Sequence, residues 1–214
     1  MKKITLALTL LTSMSFVFGQ VSESVFLQAG YTNQSYYHLD NGEVTNVDNT
    51  NWDLAFDASS MGGSIRINGS YGTKLYLFGD ANSWSSVDTV GFSWNEIINS
   101  DLSWSDGAFN SNSNSFTDYG WGEYSMISHF ISGKTVHIIK FLDGSCKKIQ
   151  IEKLLSGTYH FKYANLDGSN EVDTTVSKSD YAGKNFGYYS IQNDSALDRE
   201  PIADSWHLVF TKYI

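Results

Sequence analysis

The chain has 214 residues, with 14 basic side chains against 23 acidic ones, a net charge of −9. Such a balance repels nucleic acid phosphates and anionic lipid and excludes them as partners. The single cysteine, Cys146, cannot close a disulfide within the chain, so stability has to come from packing.

At the N-terminus, Met1-Lys2-Lys3 precedes an apolar run from Ile4 to Leu11 that resumes after Thr12 and Ser13 and reaches Phe18. Basic residues followed by an apolar stretch are the marks of an export signal. Val17 and Gly19 suit the small pockets of a signal peptidase, which places cleavage before Gln20 and divides the chain into a signal, 1–19, and one domain, 20–214. The run is shorter than the ~20 apolar residues that span a bilayer. The expectation is therefore a secreted, periplasmic or cell-surface protein and not an integral membrane protein. Loss of Lys2 and Lys3 leaves twelve basic residues against 23 acidic, a net charge of −11.

Beyond Gln20 the composition favours strands and turns. Aromatic residues make up 15% of the chain, Pro occurs only at Pro201, and the polar residues are dominated by Ser, Asn, Gly and Asp. Alternation with period two recurs, whereas no window carries a capped helical stripe, so the fold class is all-β: one antiparallel sandwich or meander domain with long loops and little helix. The first hairpin runs from Gln34 to Val47 around Asn41-Gly42. Next comes Asn51-Trp52-Asp53-Leu54-Ala55-Phe56, echoed near the end by Ser205-Trp206-His207-Leu208-Val209-Phe210. Both segments read as neighbouring core strands that present Trp, Leu and Phe to one face. From Asp80 to Tyr119 the alternation fails, which predicts a long loop region punctuated by Trp84, Trp94 and Trp104, with one helical turn near Asn95 to Ile98. Ordered loops of that length are often functional, so a ligand is expected there. Two further hairpins follow, Thr135 to Glu152 around Asp143-Gly144 and Tyr159 to Val176 around Asp167-Gly168.

Catalytic constellations are missing from this pattern. The lone Cys146 and five histidines without close spacing do not supply a zinc site. No G-x-S-x-G turn offers a nucleophile. Paired carboxylates of a glycosidase can be found in any acidic chain and carry no weight by themselves. His38, His137, His160 and His207 fall in predicted strands, where a structural role is the ordinary one. Aromatic pairs Trp121 with Tyr124 and Tyr188 with Tyr189 flank predicted loops, and their flat faces suit a sugar or a planar macrocycle.

Tyr36-Tyr37-His38-Leu39-Asp40-Asn41-Gly42-Glu43-Val44, then Asn51 to Phe56, then Ile65-Arg66-Ile67-Asn68-Gly69, resemble in order and spacing the opening of the HmuY-like family of exported haem-binding proteins. Gly120-Trp121-Gly122-Glu123-Tyr124-Ser125-Met126 and Val136 to Ile151 resemble its central strand and the hairpin after it. The resemblance implies a non-enzymatic all-β protein that holds haem between loops through two axial His or Met side chains, in haem or iron acquisition, in contact with an outer-membrane or cell-surface partner. It places one axial ligand at Met126. The second belongs in the loop before Gly120, yet Asp80 to Tyr119 contains no His, Met or Cys. That leaves an empty site, one-sided ligation, or a ligand such as Met61 or His129 from elsewhere. A strand would put Met126 and His129 on opposite faces, whereas a loop or bulge would bring them together. The candidate haem contacts are thus Met126, His129, Met61, Tyr124 and Trp121, with Met126 and His129 as candidate iron ligands. The alternative is an adhesion or carbohydrate-binding module that kept the fold without haem ligands.

Overall fold

The computed structural model describes residues 22–212. The expected signal and its cleavage site lie outside the described residues. In chain order the strands are β1 Asn33–His38, β2 Gly42–Asp48, β3 Leu54–Asp57, β4 Ile65–Ile67, β5 Lys74–Asp80, β6 Glu96–Ile97, β7 Gly122–Tyr124 and β8 Ile131–Gly133. They continue with β9 Thr135–Lys140, β10 Cys146–Leu155, β11 Thr158–Asn165, β12 Val172–Ser177, β13 Phe186–Ser190, β14 Ser195–Leu197 and β15 Leu208–Phe210. Short 3-10 turns are the only helical elements among the described residues.

All strand pairs are antiparallel, as expected. The large sheet has the order β12-β11-β10-β9-β5-β6, with β8 also paired to β10 and β7 to β8. A four-stranded sheet, β14-β13-β3-β4, packs against it, and β15-β1-β2 form a third. One buried cluster joins the first two, with Leu54 and Phe56 of β3 and Tyr189 of β13 meeting Ile139, Ile149, Ile151 and Phe161 of the large sheet. The Phe56 and Phe161 rings lie 5.0 Å apart, and the Phe161 and Tyr189 rings 5.1 Å. Each such side chain, fully buried, contributes about 1.5–3 kcal/mol.

The three predicted hairpins form where their Gly residues fall. In the second, the Phe141 carbonyl accepts from Gly144 N–H, and Gly144 takes φ +86°, a conformation that disfavours any side chain; Asp143 then accepts from Ser145 N–H at 2.8 Å. The β10–β11 hairpin adds a tight turn, Ser156-Gly157, that the alternation alone did not mark.

The two Trp-bearing segments are not neighbouring core strands. β3 is a buried strand of the four-stranded sheet, whereas β15 pairs with β1 on the third sheet and leaves Leu208 and Phe210 exposed. Tyrosines connect them: Tyr36 packs edge-on to Trp206 at 5.0 Å, Tyr188 edge-on to Trp52 at 5.0 Å, and the two tyrosine hydroxyls lie 3.4 Å apart. The Asn95–Ile98 stretch is also not helical. Glu96–Ile97 pairs with β5 because Ile97 can add to the apolar cluster in that register.

The long loop, 81–118, is ordered by its asparagines. β4 ends the four-stranded sheet with an unpaired edge. Asn99 closes part of that edge, accepting from Ile67 N–H at 3.1 Å and donating to Ile67 O at 2.8 Å. Asn110 accepts from Ile65 N–H at 2.9 Å and donates to Gly63 O and Tyr119 O. Side-chain amides thereby take the place of a missing strand, satisfying buried backbone groups that would otherwise go unpaired.

Candidate functional site

Two loops at one end of the sandwich enclose a cavity of about 520 Å³, within the size range of small-molecule and cofactor sites. One loop, 58–64, joins β3 to β4. The other, 125–130, joins β7 to β8 and closes a tight turn in which Ser125 N–H donates to Phe130 O and His129 N–H to Ser125 O. Ile131, Leu154, Phe130, Tyr119 and Phe116 give the cavity an apolar wall, and the Ser156-Gly157 turn borders it.

Met61 lies on the first loop, is 86% exposed and lines the cavity. Its loop is pinned from below. Lys178, a buried residue just after β12, donates to Ser59 O and Gly62 O, both at 2.6 Å. Burial pushes the Lys178 ammonium below its ordinary pKa, offset in part by Asp57. Asp57 also accepts from Ser59 N–H at 2.7 Å. Gly63 must stay bare: a Cβ there would fall 2.5 Å from the Tyr119 ring.

Met126 and His129 come from the second loop, and both line the cavity. The turn, not a strand, sets their directions, since β7 ends at Tyr124 and His129 takes φ +55°. Tyr124 Oη and His129 Nδ1 are 2.9 Å apart, so the turn is closed by a side-chain bond as well as by backbone. Met126 is 68% exposed, and Ile127 and Phe116 stand almost fully in water near it. Exposed apolar groups clustered around a cavity mark a binding surface.

Asp118 braces the strand entry beneath. Burial raises its carboxyl, but bonds from Lys134 Nζ at 2.6 Å and Gly120 N–H at 2.7 Å outweigh this and hold it below the usual carboxylate range.

Four of the five expected contacts, Met61, Met126, His129 and Tyr124, therefore meet at one cavity. Trp121 does not join them. It is fully buried, its ring packs near Tyr119 and Tyr159, and its Nε1 donates to Gly63 O at 2.9 Å. Alternation could not tell which side of that short strand faces the core, and Trp121 serves the site only by holding Gly63. The stretch from Asp80 to Tyr119 supplies just Phe116 and Tyr119 to the cavity, not the ligand expected from it. Phe116, hidden in a Ser/Asn tract, and Lys178, a lone lysine just past the third hairpin, gave no signal in the sequence.

The remaining histidines lie elsewhere. His137 is buried against Phe109 with Nδ1 unpartnered, and burial lowers its pKa to about 3. His38 and His207 pack together at 4.1 Å, and His160 sits within β11. Among the described residues no group of three or more His, Cys, Asp or Glu side chains is placed to hold a metal ion. The donors at the cavity are soft and few, two thioethers and one imidazole. That set suits axial ligation of an iron already held by a macrocycle, and the apolar aromatic wall suits the macrocycle itself.

Comparison with known proteins adds a family. A family model described as HmuY protein matches residues 30–164, which include Met61, Tyr124, Met126 and His129. No curated protein and no solved structure matches the chain.

Proposed function

Because the chain belongs to the HmuY family, whose members bind haem, we propose that its cavity holds haem between Met61 and Met126. The supporting observation is that two exposed thioethers on separate loops line one apolar cavity. A planar macrocycle held at both axial positions needs donors from two sides. Met126 and His129 share one tight turn, so Met61, from the other loop at the cavity, is the better partner for either. His129 is already engaged with Tyr124, and ligation through its Nε2 would require its Nδ1–H to donate to the tyrosine oxygen. Met126 carries no such condition.

Haem enters as cargo, with an iron whose two axial positions accept neutral sulfur donors. The chain's own groups then divide the work. Met61 and Met126 would hold the iron, Phe116, Tyr119 and Phe130 would supply apolar contact for the macrocycle, and Lys178 and Tyr124 position the two loops. The role is capture of haem by an exported protein that then passes it to a cell-surface partner. No helix of the described residues is long and apolar enough to cross a membrane.

Titration of purified protein with haemin tests the proposal. A saturable Soret shift that weakens in Met126→Ala supports it, and an unchanged spectrum at micromolar haemin refutes it.

A further inference from the structure

A second cleft, of about 350 Å³, lies between the third sheet and the four-stranded sheet, and none of its lining residues lines the haem cavity. Its walls are aromatic: Tyr36, Trp52, Trp104, Phe186 and Tyr188. These rings hold one another in place. Trp104 lies 5.9 Å from Phe186 and 5.9 Å from Trp206, and Trp52 sits edge-on to Tyr188 at 5.0 Å. Even so, Trp104 is 48% exposed, an indole face kept in water on a rigid support. Between the rings stand short neutral polar groups, among them Gln34, Asn49, Asn68 and Ser70.

That lining narrows the ligand. It contains no His, Met or Cys, so a soft metal ion has no donor there, and the hydroxyls of its two tyrosines, Tyr36 and Tyr188, are engaged with each other and with Glu200. The guanidinium of Arg66 donates to the carbonyl oxygens of Ser100, Ser103 and Trp104, and Arg199 behind the wall donates to Gln34 and to Asp48 O. Both cations are committed to the fold, which disfavours recognition of a phosphate or carboxylate. Glu200 is likewise taken up by Asn185 and Tyr188. Lys212 is the remaining ionic group of the lining. The amides of Asn49 and Asn68 are themselves bonded to Ser70, Trp52 and backbone, so what the cleft offers a ligand is chiefly the half-exposed Trp104 indole face beside neutral rather than charged groups, which matches a molecule that stacks through a C–H face.

We infer that this cleft is a second binding site, for a neutral saccharide, independent of the haem cavity. The test records indole N–H resonances of the full protein by NMR while methyl glucoside, methyl galactoside, methyl mannoside, N-acetylglucosamine, cellobiose, lactose and chitobiose are added in turn. At least one sugar is expected to shift the Trp52 and Trp104 indole signals, with saturation transfer to its ring protons. Trp104→Ala should weaken that sugar roughly tenfold or more while leaving haemin binding intact. Met126→Ala should leave the sugar titration unchanged. Absence of any shift across the panel overturns the inference, as does a shift that survives Trp104→Ala or one produced by a neutral tripeptide and by no sugar. Should Trp104→Ala fail to fold, saturation transfer from the wild-type indoles decides: contact supports the site, and no contact overturns it.

Discussion

Tyr124 Oη lies 2.9 Å from His129 Nδ1, and this single bond ties the last residue of β7 to the far side of the turn that carries Met126. His129 has a positive φ, so the turn is held in a conformation that its backbone alone disfavours. The bond therefore sets the direction of Met126 without touching a ligand.

Tyr124→Phe should leave the fold intact and weaken haemin binding by roughly threefold to tenfold, through a looser turn. Since partners of ligand-bearing groups typically contribute ~10–100-fold, a loss at or below the bottom of that range is consistent with a positioning role. Equilibrium titration of the two proteins side by side measures it. His129→Ala should behave like Tyr124→Phe and keep a low-spin spectrum. A high-spin spectrum in His129→Ala alone would make the imidazole the ligand.

Lys178 should matter to haem although it lies far from Met61 in sequence. Its two bonds to the 58–64 loop join a charge to carbonyl oxygens, an interaction worth about 1.5–3 kcal/mol each at most sites. Lys178→Gln is expected to lower unfolding free energy by a similar amount and haemin affinity about tenfold. Urea denaturation and haemin titration of the same preparation read both. Loss of stability with affinity unchanged would show that the loop does not present a ligand.

His137 predicts an acid-sensitive fold. Its folded pKa, pushed down to about 3 by burial, lies below the ~6.5 of an exposed histidine, so the unfolded chain binds the extra proton first. Stability from this residue is complete above about pH 6.5 and falls as pH drops toward about 3. His137→Leu should flatten the stability profile across that window, which denaturation at stepped pH would reveal. An identical acid slope in both proteins would assign the sensitivity to other groups.

Asn110 offers a test of the loop's role in the fold. Asn110→Leu leaves Ile65 N–H and Tyr119 O without their side-chain partner, while Gly63 O keeps its bond from Trp121, and should cost about 1–3 kcal/mol for each group left buried and unpaired. A large drop in melting temperature is expected. A near-neutral effect would mean that water replaces the amide.

Much of this architecture was legible in the residues. Asn-Gly and Asp-Gly bends located three hairpins because left-handed backbone is cheap only at such positions. The pairing of the Trp52 and Trp206 segments was misread, since alike patterns of Trp, Leu and Phe say which residues prefer burial but not which sheet supplies it. The Asn-rich loop reads as a long ordered loop with a ligand, and its closure of the β4 edge stays hidden because a side-chain amide bonding to a strand edge follows no periodicity. At the site, Met126, His129, Met61 and Tyr124 came from resemblance and residue chemistry. Trp121 was misplaced because a short strand leaves its inward face undetermined, and Lys178 joined the site only through tertiary contact.

The claim that two thioethers from separate loops hold the iron is tested most directly by near-infrared magnetic circular dichroism of the haemin complex, whose charge-transfer band reports the axial pair. The account predicts a bis-thioether band in the wild-type protein that is lost in both Met61→Ala and Met126→Ala. A complex whose band is unchanged in those two variants, or a wild-type protein that takes up no haemin, would contradict it.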